Sequence, residues 1–206
     1  QIVEDRLTAG LETISPDFEI MSSQKVGPTI ADDITQAAWY SAIFALTIIF
    51  LYIVVRFRKL QFGVGALVAM LHDVLIVLSL FSLLYKFMPF SLEIDQAFIA
   101  AILTVVGYSI NDTVVVFDRI REYLGIHKRQ DYEGVINDAL NSTLSRTINT
   151  SLSTLVVLLM IFFFGGEVIR VFVFALIIGV VVGTYSSLCV ATPIVVDLTK
   201  LTKKKE

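Results

Sequence analysis

Five stretches of this chain are apolar for long enough to cross a lipid bilayer, and that excludes most folds at once. They cover residues 36–55, 62–85, 97–117, 146–164 and 169–190. A helix needs about 20 predominantly apolar residues to cross ~30 Å of hydrocarbon. Backbone polar groups find no water there, so each run must close its hydrogen bonds within itself, as a helix does. Composition agrees: 56% of the 206 residues are hydrophobic and 17% charged, where a soluble domain has roughly 45–50% and 25%. The expected fold is an all-α polytopic membrane bundle of five transmembrane helices. A net charge of −3, with no basic groove interleaved with aromatics, argues against nucleic acid as a partner. The single cysteine, Cys189, cannot form an intrachain disulfide.

The fourth run is apolar only from residue 152 to 164, which is too short to span. To cross the membrane it must draw in Ser145, Arg146 and Asn149 from its polar side. Before it, residues 132–140 have helical periodicity and are expected to lie along the membrane surface before entering the fourth span. In the fifth run, Gly179 and Gly183, followed by Ser186 and Ser187, fit a face that approaches another helix closely. They fit equally well as small residues suited to lipid.

Residues 1–35 read differently, as the remnant of a soluble α/β domain. Val3, Leu7, Leu11 and Ile14 keep helical spacing, Ser15-Pro16-Asp17 breaks it, and residues 18–26 partly alternate like an edge strand. Gly27-Pro28 opens the helix that becomes the first span, with Trp39 and Tyr40 at the level of an interfacial aromatic belt. There is no initiating Met and no signal-peptide pattern, so the chain reads as the rear part of a longer polypeptide. Residues 199–206 form a basic tail. Twelve of the sixteen Lys and Arg residues fall on the side of the 56–59 turn, the 118–146 connection and this tail. That bias puts the C-terminus in the cytoplasm and residues 1–35 outside.

Three polar features lie inside the spans, where an ionisable group costs a few kcal/mol or more and marks a functional position. Asp112 stands about six residues before the cytoplasmic end of its helix, ~9 Å deep. Tyr108 and Ser109 share its face, and Asn111 and Thr113 flank it. Arg146 enters the membrane from the same side, in a stripe with Ser142, Asn149 and Ser153 that stays within about 60° of the helix surface. A pair between Asp112 and Arg146 would relieve the burial of each, and a change in their separation would change the carboxylate's affinity for a proton. The same pair read statically would only fix helix packing, which makes a passive assembly scaffold the competing function. The third feature, His72-Asp73 near the middle of span two, fits a structural hydrogen-bonding role better than a relay. Asp73 and Asp112 could be read as the two carboxylates of an intramembrane aspartyl protease, but no Gly-x-Gly precedes Asp112; its nearest glycine is Gly107. No metal-ligand spacing, phosphate-cradling loop or nucleophile–base pair occurs, so neither an enzyme nor a bound cofactor or metal is expected.

Four spaced motifs resemble the SecF family of the bacterial SecD/SecF protein-export complex: VGPT (26–29), HDVLI (72–76), VGYSINDTVVVFDRIRE (106–122) and LNSTLSRT (140–147). The resemblance covers roughly residues 26–198. It implies a proton-driven member of the resistance-nodulation-division superfamily in the bacterial inner membrane. Such a protein assists SecA- and SecYEG-driven translocation together with SecD, which some bacteria fuse upstream, and with accessory proteins of the YajC and YidC type. By motif match, Asp112 would be the proton carrier, Arg146 its charge partner and Thr150 a further member one turn along. SecD would supply a facing carboxylate. Sodium in place of protons, and a related exporter of small apolar or lipid substrates, stay open on this reading. The family has six spans with a periplasmic domain between the first two; here the first span and most of that domain are missing.

Overall fold

The five apolar runs lie in helices that cover nearly all of the computed structural model, which describes residues 10–11, 28–88, 90, 92, 94–127 and 131–203. In chain order these are α1 (Pro28–Phe57), α2 (Leu60–Leu84), α3 (Gln96–Ile126), α4 (Tyr132–Phe164) and α5 (Glu167–Ser186). A π-helical turn, Ser187–Ala191, joins α5 to α6 (Thr192–Lys203). The chain divides into two compact units, Gln1–Trp39 and Tyr40–Glu206. In the first, Gly10 and Leu11 are helical and α1 begins at Pro28; the rest of the expected α/β remnant lies outside the described residues.

Local chemistry sets the helix ends. Asp95 caps α3 by accepting from the Phe98 amide at 2.8 Å, and Asp131 caps α4 by accepting from the Gly134 amide at 3.0 Å. Arg58 and Lys59 alone separate α1 from α2, and so tight a reversal holds Arg58 at φ 55°, in the left-handed region. The segment 132–140, expected to lie along the membrane surface, is continuous with the fourth span in one helix of 33 residues. The reason is local: no Gly or Pro stands between Leu140 and Arg146 to break it.

α3 packs against α2, α4 and α5, with one apolar cluster at each end of the bundle. Ile53, Phe57, Phe62, Val116, Phe117 and Ile120 belong to the cluster at the end where α1, α3 and α6 finish, called here the basic end. Its Phe57, Phe62 and Phe117 rings sit with centroids 4.9–5.8 Å apart, one pair stacked and two edge-on. Val77, Phe81, Phe98 and Ala175 form the opposite cluster. Elsewhere α1 turns Tyr40, Phe44, Leu51 and Val55 outward, as a helix facing lipid does.

The glycines of α5 resolve in favour of close approach. A Cβ on Gly179 would lie 2.1 Å from Val105 Cγ2, and one on Gly183 would lie 3.0 Å from Ser109 Cβ. Gly179→Ala therefore has to push α5 off α3, at a cost of about 1–3 kcal/mol. A lowered melting midpoint in detergent is the expected result; a midpoint equal to the parent protein's would mean the two helices give way freely.

Candidate functional site: two buried carboxylates

Among the described residues Asp73 and Asp112 are the two buried carboxylates, 0% and 5% exposed, and their surroundings differ sharply. Asp73, on α2, is held from three directions. Ser109 of α3 donates to its Oδ2 at 2.5 Å, Ser186 of α5 donates to the same oxygen at 2.8 Å, and His72 Nδ1 lies 3.0 Å from Oδ1. The other ring nitrogen of His72 sits 2.6 Å from the Tyr185 hydroxyl of α5. The geometry fits an imidazole that donates from Nδ1 and accepts at Nε2. Asp73 is thus a hub that ties three helices together with its acceptor sites largely filled. The π-helical turn follows directly after Ser186, so α5 changes its winding where it meets this hub.

Asp112, on α3, has far less. Its one hydrogen-bond contact among the described residues is Ser151 of α4, whose hydroxyl donates to Oδ2 across a long 3.4 Å. Ser151 Oγ in turn lies 2.7 Å from Thr184 Oγ1 of α5. The two carboxylates share no hydrogen bond among the described residues, although Ser109 and Asp112 stand one turn apart on α3. Two separate networks meet the same stretch of α5, at Thr184 and at Ser186.

The expected contact between Asp112 and Arg146 is not made: no ion pair joins them among the described residues, and the Arg146 side chain is exposed. Ser151 is the residue that reaches Asp112, and five residues at about 100° each put Arg146 roughly 140° around the helix from it. Thr150, Asn149, Ser153 and Ser142 are exposed on α4, as Asn111 is on α3, and Thr150 returns its hydroxyl to the Arg146 carbonyl at 3.0 Å. Tyr108 reaches Thr154 of α4 at 3.4 Å, while Thr113 is buried. The residues that sequence reasoning passed over are Thr147, Ser151 and Thr184. Thr143, Thr147 and Ser151 recur every four residues on α4, a signal hidden beside the stripe that contains Arg146.

At the basic end a cavity of about 760 Å³ opens between α1, α3 and α4. Arg56 pairs there with Asp118 at 2.8 Å and Arg119 with Glu122 at 2.7 Å, while Arg119 Nε donates to Ser142 at 2.8 Å. Arg121 donates to the Arg56 carbonyl at 3.1 Å. Arg146 and Thr143 also line this space. Between α4 and α6, Lys200 pairs with Glu133.

These features define a polytopic helical membrane protein with ionisable groups built into its core. Residues 6–201 match the family model described as protein export membrane protein SecD/SecF, C-terminal, and the chain belongs to that family. The protein translocase subunit SecF of Rhodothermus marinus is 56% identical over 193 residues, which are 91% of this chain and 62% of that one. The subunit of the same name from Haemophilus influenzae is 42% identical over 196 residues, covering 95% and 58%. The chain therefore spans about three fifths of the length of these relatives. Among solved structures it resembles SecDF of Thermus thermophilus, described as a translocon-associated membrane protein. The TM-score is 0.83 at 40% identity, over 96% of this chain and 27% of that one. A second SecDF structure, in a super-membrane-facing form, gives 0.79 at 37% identity, over 98% and 27%.

Proposed function

We propose that this chain is the greater part of a SecF-type translocase subunit that works with SecD in the bacterial inner membrane. On this reading it uses the proton motive force to help draw polypeptides delivered by SecA and SecYEG out of the translocon. Asp112 is the group that takes up and releases the proton. The observation that carries this assignment is the contrast between the carboxylates. Asp73 is tied to α3 and α5 by two hydroxyl donors and faces His72 on its other oxygen, whereas Asp112 has one long contact to lose. The proton is preferred over sodium as the coupling ion because a bare cation needs several oxygen ligands. Asp112 has a single hydroxyl beside it among the described residues.

The exposed polar face of α3 and α4 supports the partnership. Asn111, Arg146 and Asn149 lie exposed at membrane depth, where side chains facing lipid would stay unsatisfied. SecD helices against this face would bring their own carboxylate to Arg146. The excess of Lys and Arg at the basic end supports a cytoplasmic position for that end. YajC- and YidC-type accessory partners rest on family resemblance alone.

Replacing Arg146 tests this arrangement. In the full-length subunit with SecD, Arg146→Gln is expected to lose proton-stimulated export in proteoliposomes while still co-purifying with SecD. If SecD instead dissociates, and export recovers when the complex is held together by fusion, the arginine is an assembly contact and the pair of helices a scaffold.

A further inference from the structure

We propose that Thr143, Thr147 and Ser151 of α4 form a hydroxyl ladder that carries protons between Asp112 and the cavity at the basic end, with single water molecules between its rungs. The proposal rests on Asp112 being the proton carrier. It begins from Thr147, which is 1% exposed and whose Oγ1 has no hydrogen-bond partner among the described residues. A helical threonine normally returns its hydroxyl to a carbonyl one turn back. Thr143, Thr150 and Thr154 of the same helix do so, to Leu140, Arg146 and Thr150 at 3.0 Å each. An unsatisfied buried hydroxyl is costly to keep, and a polar site able to hold a water is its ordinary explanation.

The position of Thr147 gives that water a purpose. One turn towards the basic end, Thr143 lines the cavity; one turn the other way, Ser151 donates to Asp112. Four residues of helix rise about 6 Å, and a water with two bonds of ~2.8 Å bridges nearly that distance. On α3 the cavity reaches Val115, one turn from Asp112, and on α4 it reaches Arg146, next to Thr147. The unpartnered hydroxyl stands between the end of the open space and the carboxylate.

In each passage the O–H bond of protonated Asp112 breaks and leaves a carboxylate. An O–H bond forms on the next oxygen, and each hydroxyl or water accepts one proton as it releases another. The proton ends on water in the cavity. The charged groups that surround it there are Arg56, Asp118, Arg119, Arg121, Glu122 and Arg146. Passage in the opposite direction reverses every step.

The test uses the full-length subunit with its SecD partner in proteoliposomes containing a pH-sensitive dye. Thr147→Val keeps the shape and removes the hydroxyl; Thr147→Ser restores it. Thr147→Val is expected to slow proton flux on the order of tenfold or more, with a melting temperature close to that of the parent, because the shape is kept and no described residue loses a hydrogen bond. Thr147→Ser is expected to conduct nearly as the parent does. Parent-like flux through Thr147→Val, with flux through Asp112→Asn abolished, overturns the ladder and leaves the proton carrier standing. Equal slowing and lowered melting in both Thr147 variants overturns it in favour of packing. Undiminished flux through Asp112→Asn removes the reading beneath it.

Discussion

Asp112→Asn is expected to reduce proton-stimulated export to the level seen without a gradient, while the protein still inserts, folds and binds SecD. Asparagine is nearly the same size as aspartate and can still accept from Ser151 through its amide oxygen, so the hydrogen bond seen among the described residues is retained. What it cannot do is exchange a proton. A purely structural carboxylate would tolerate this change well, because nothing else leans on it among the described residues. The measurement is secretion of a reporter polypeptide into proteoliposomes with and without an imposed gradient. A stimulated rate equal to the parent's would leave Asp112 without a role.

Asp73 should behave in the opposite manner. Asp73→Leu removes the acceptor for Ser109 and Ser186 and the partner of His72, leaving the buried Ser109 hydroxyl without a mate among the described residues and Ser186 with only a long 3.4 Å contact to the Gly183 carbonyl. Leaving a buried donor unsatisfied costs about 1–3 kcal/mol, a sizeable part of the stability of a domain this size. The expected outcome is a strongly lowered melting temperature in detergent and poor accumulation in the membrane, with export falling only as the amount of folded protein falls. If Asp73→Leu is as stable as the parent yet inactive, the hub is functional and the division of labour between the carboxylates is wrong.

The bundle was legible from sequence because the bilayer permits so few alternatives: five long apolar runs could only be helices. The faces of those helices were partly legible. Ser142, Arg146, Asn149 and Ser153 do form one stripe on α4, and it lies on the exposed surface. Depth along each helix was also readable, which is why Asp112 and Arg146 looked like a pair. Depth does not say how one helix is rotated towards the next. α4 turns Thr147 and Ser151 inwards and Arg146 away, a difference fixed by side-chain packing across helices distant in sequence. The same limit hid the Asp73 hub, whose hydroxyl partners come from positions 36 and 113 residues further on. Gly179 and Gly183 could not be decided either, since small residues suit both lipid and a close neighbour until Val105 and Ser109 are seen against them.

The central claim is that Asp112 itself carries the proton, and proton entry can be followed without reference to export. With the full-length complex in liposomes, an imposed pH gradient should acidify the interior when the parent protein is present. Asp112→Asn should hold that flux at the level of protein-free liposomes. Acidification at the parent rate by the Asp112→Asn complex would contradict the assignment.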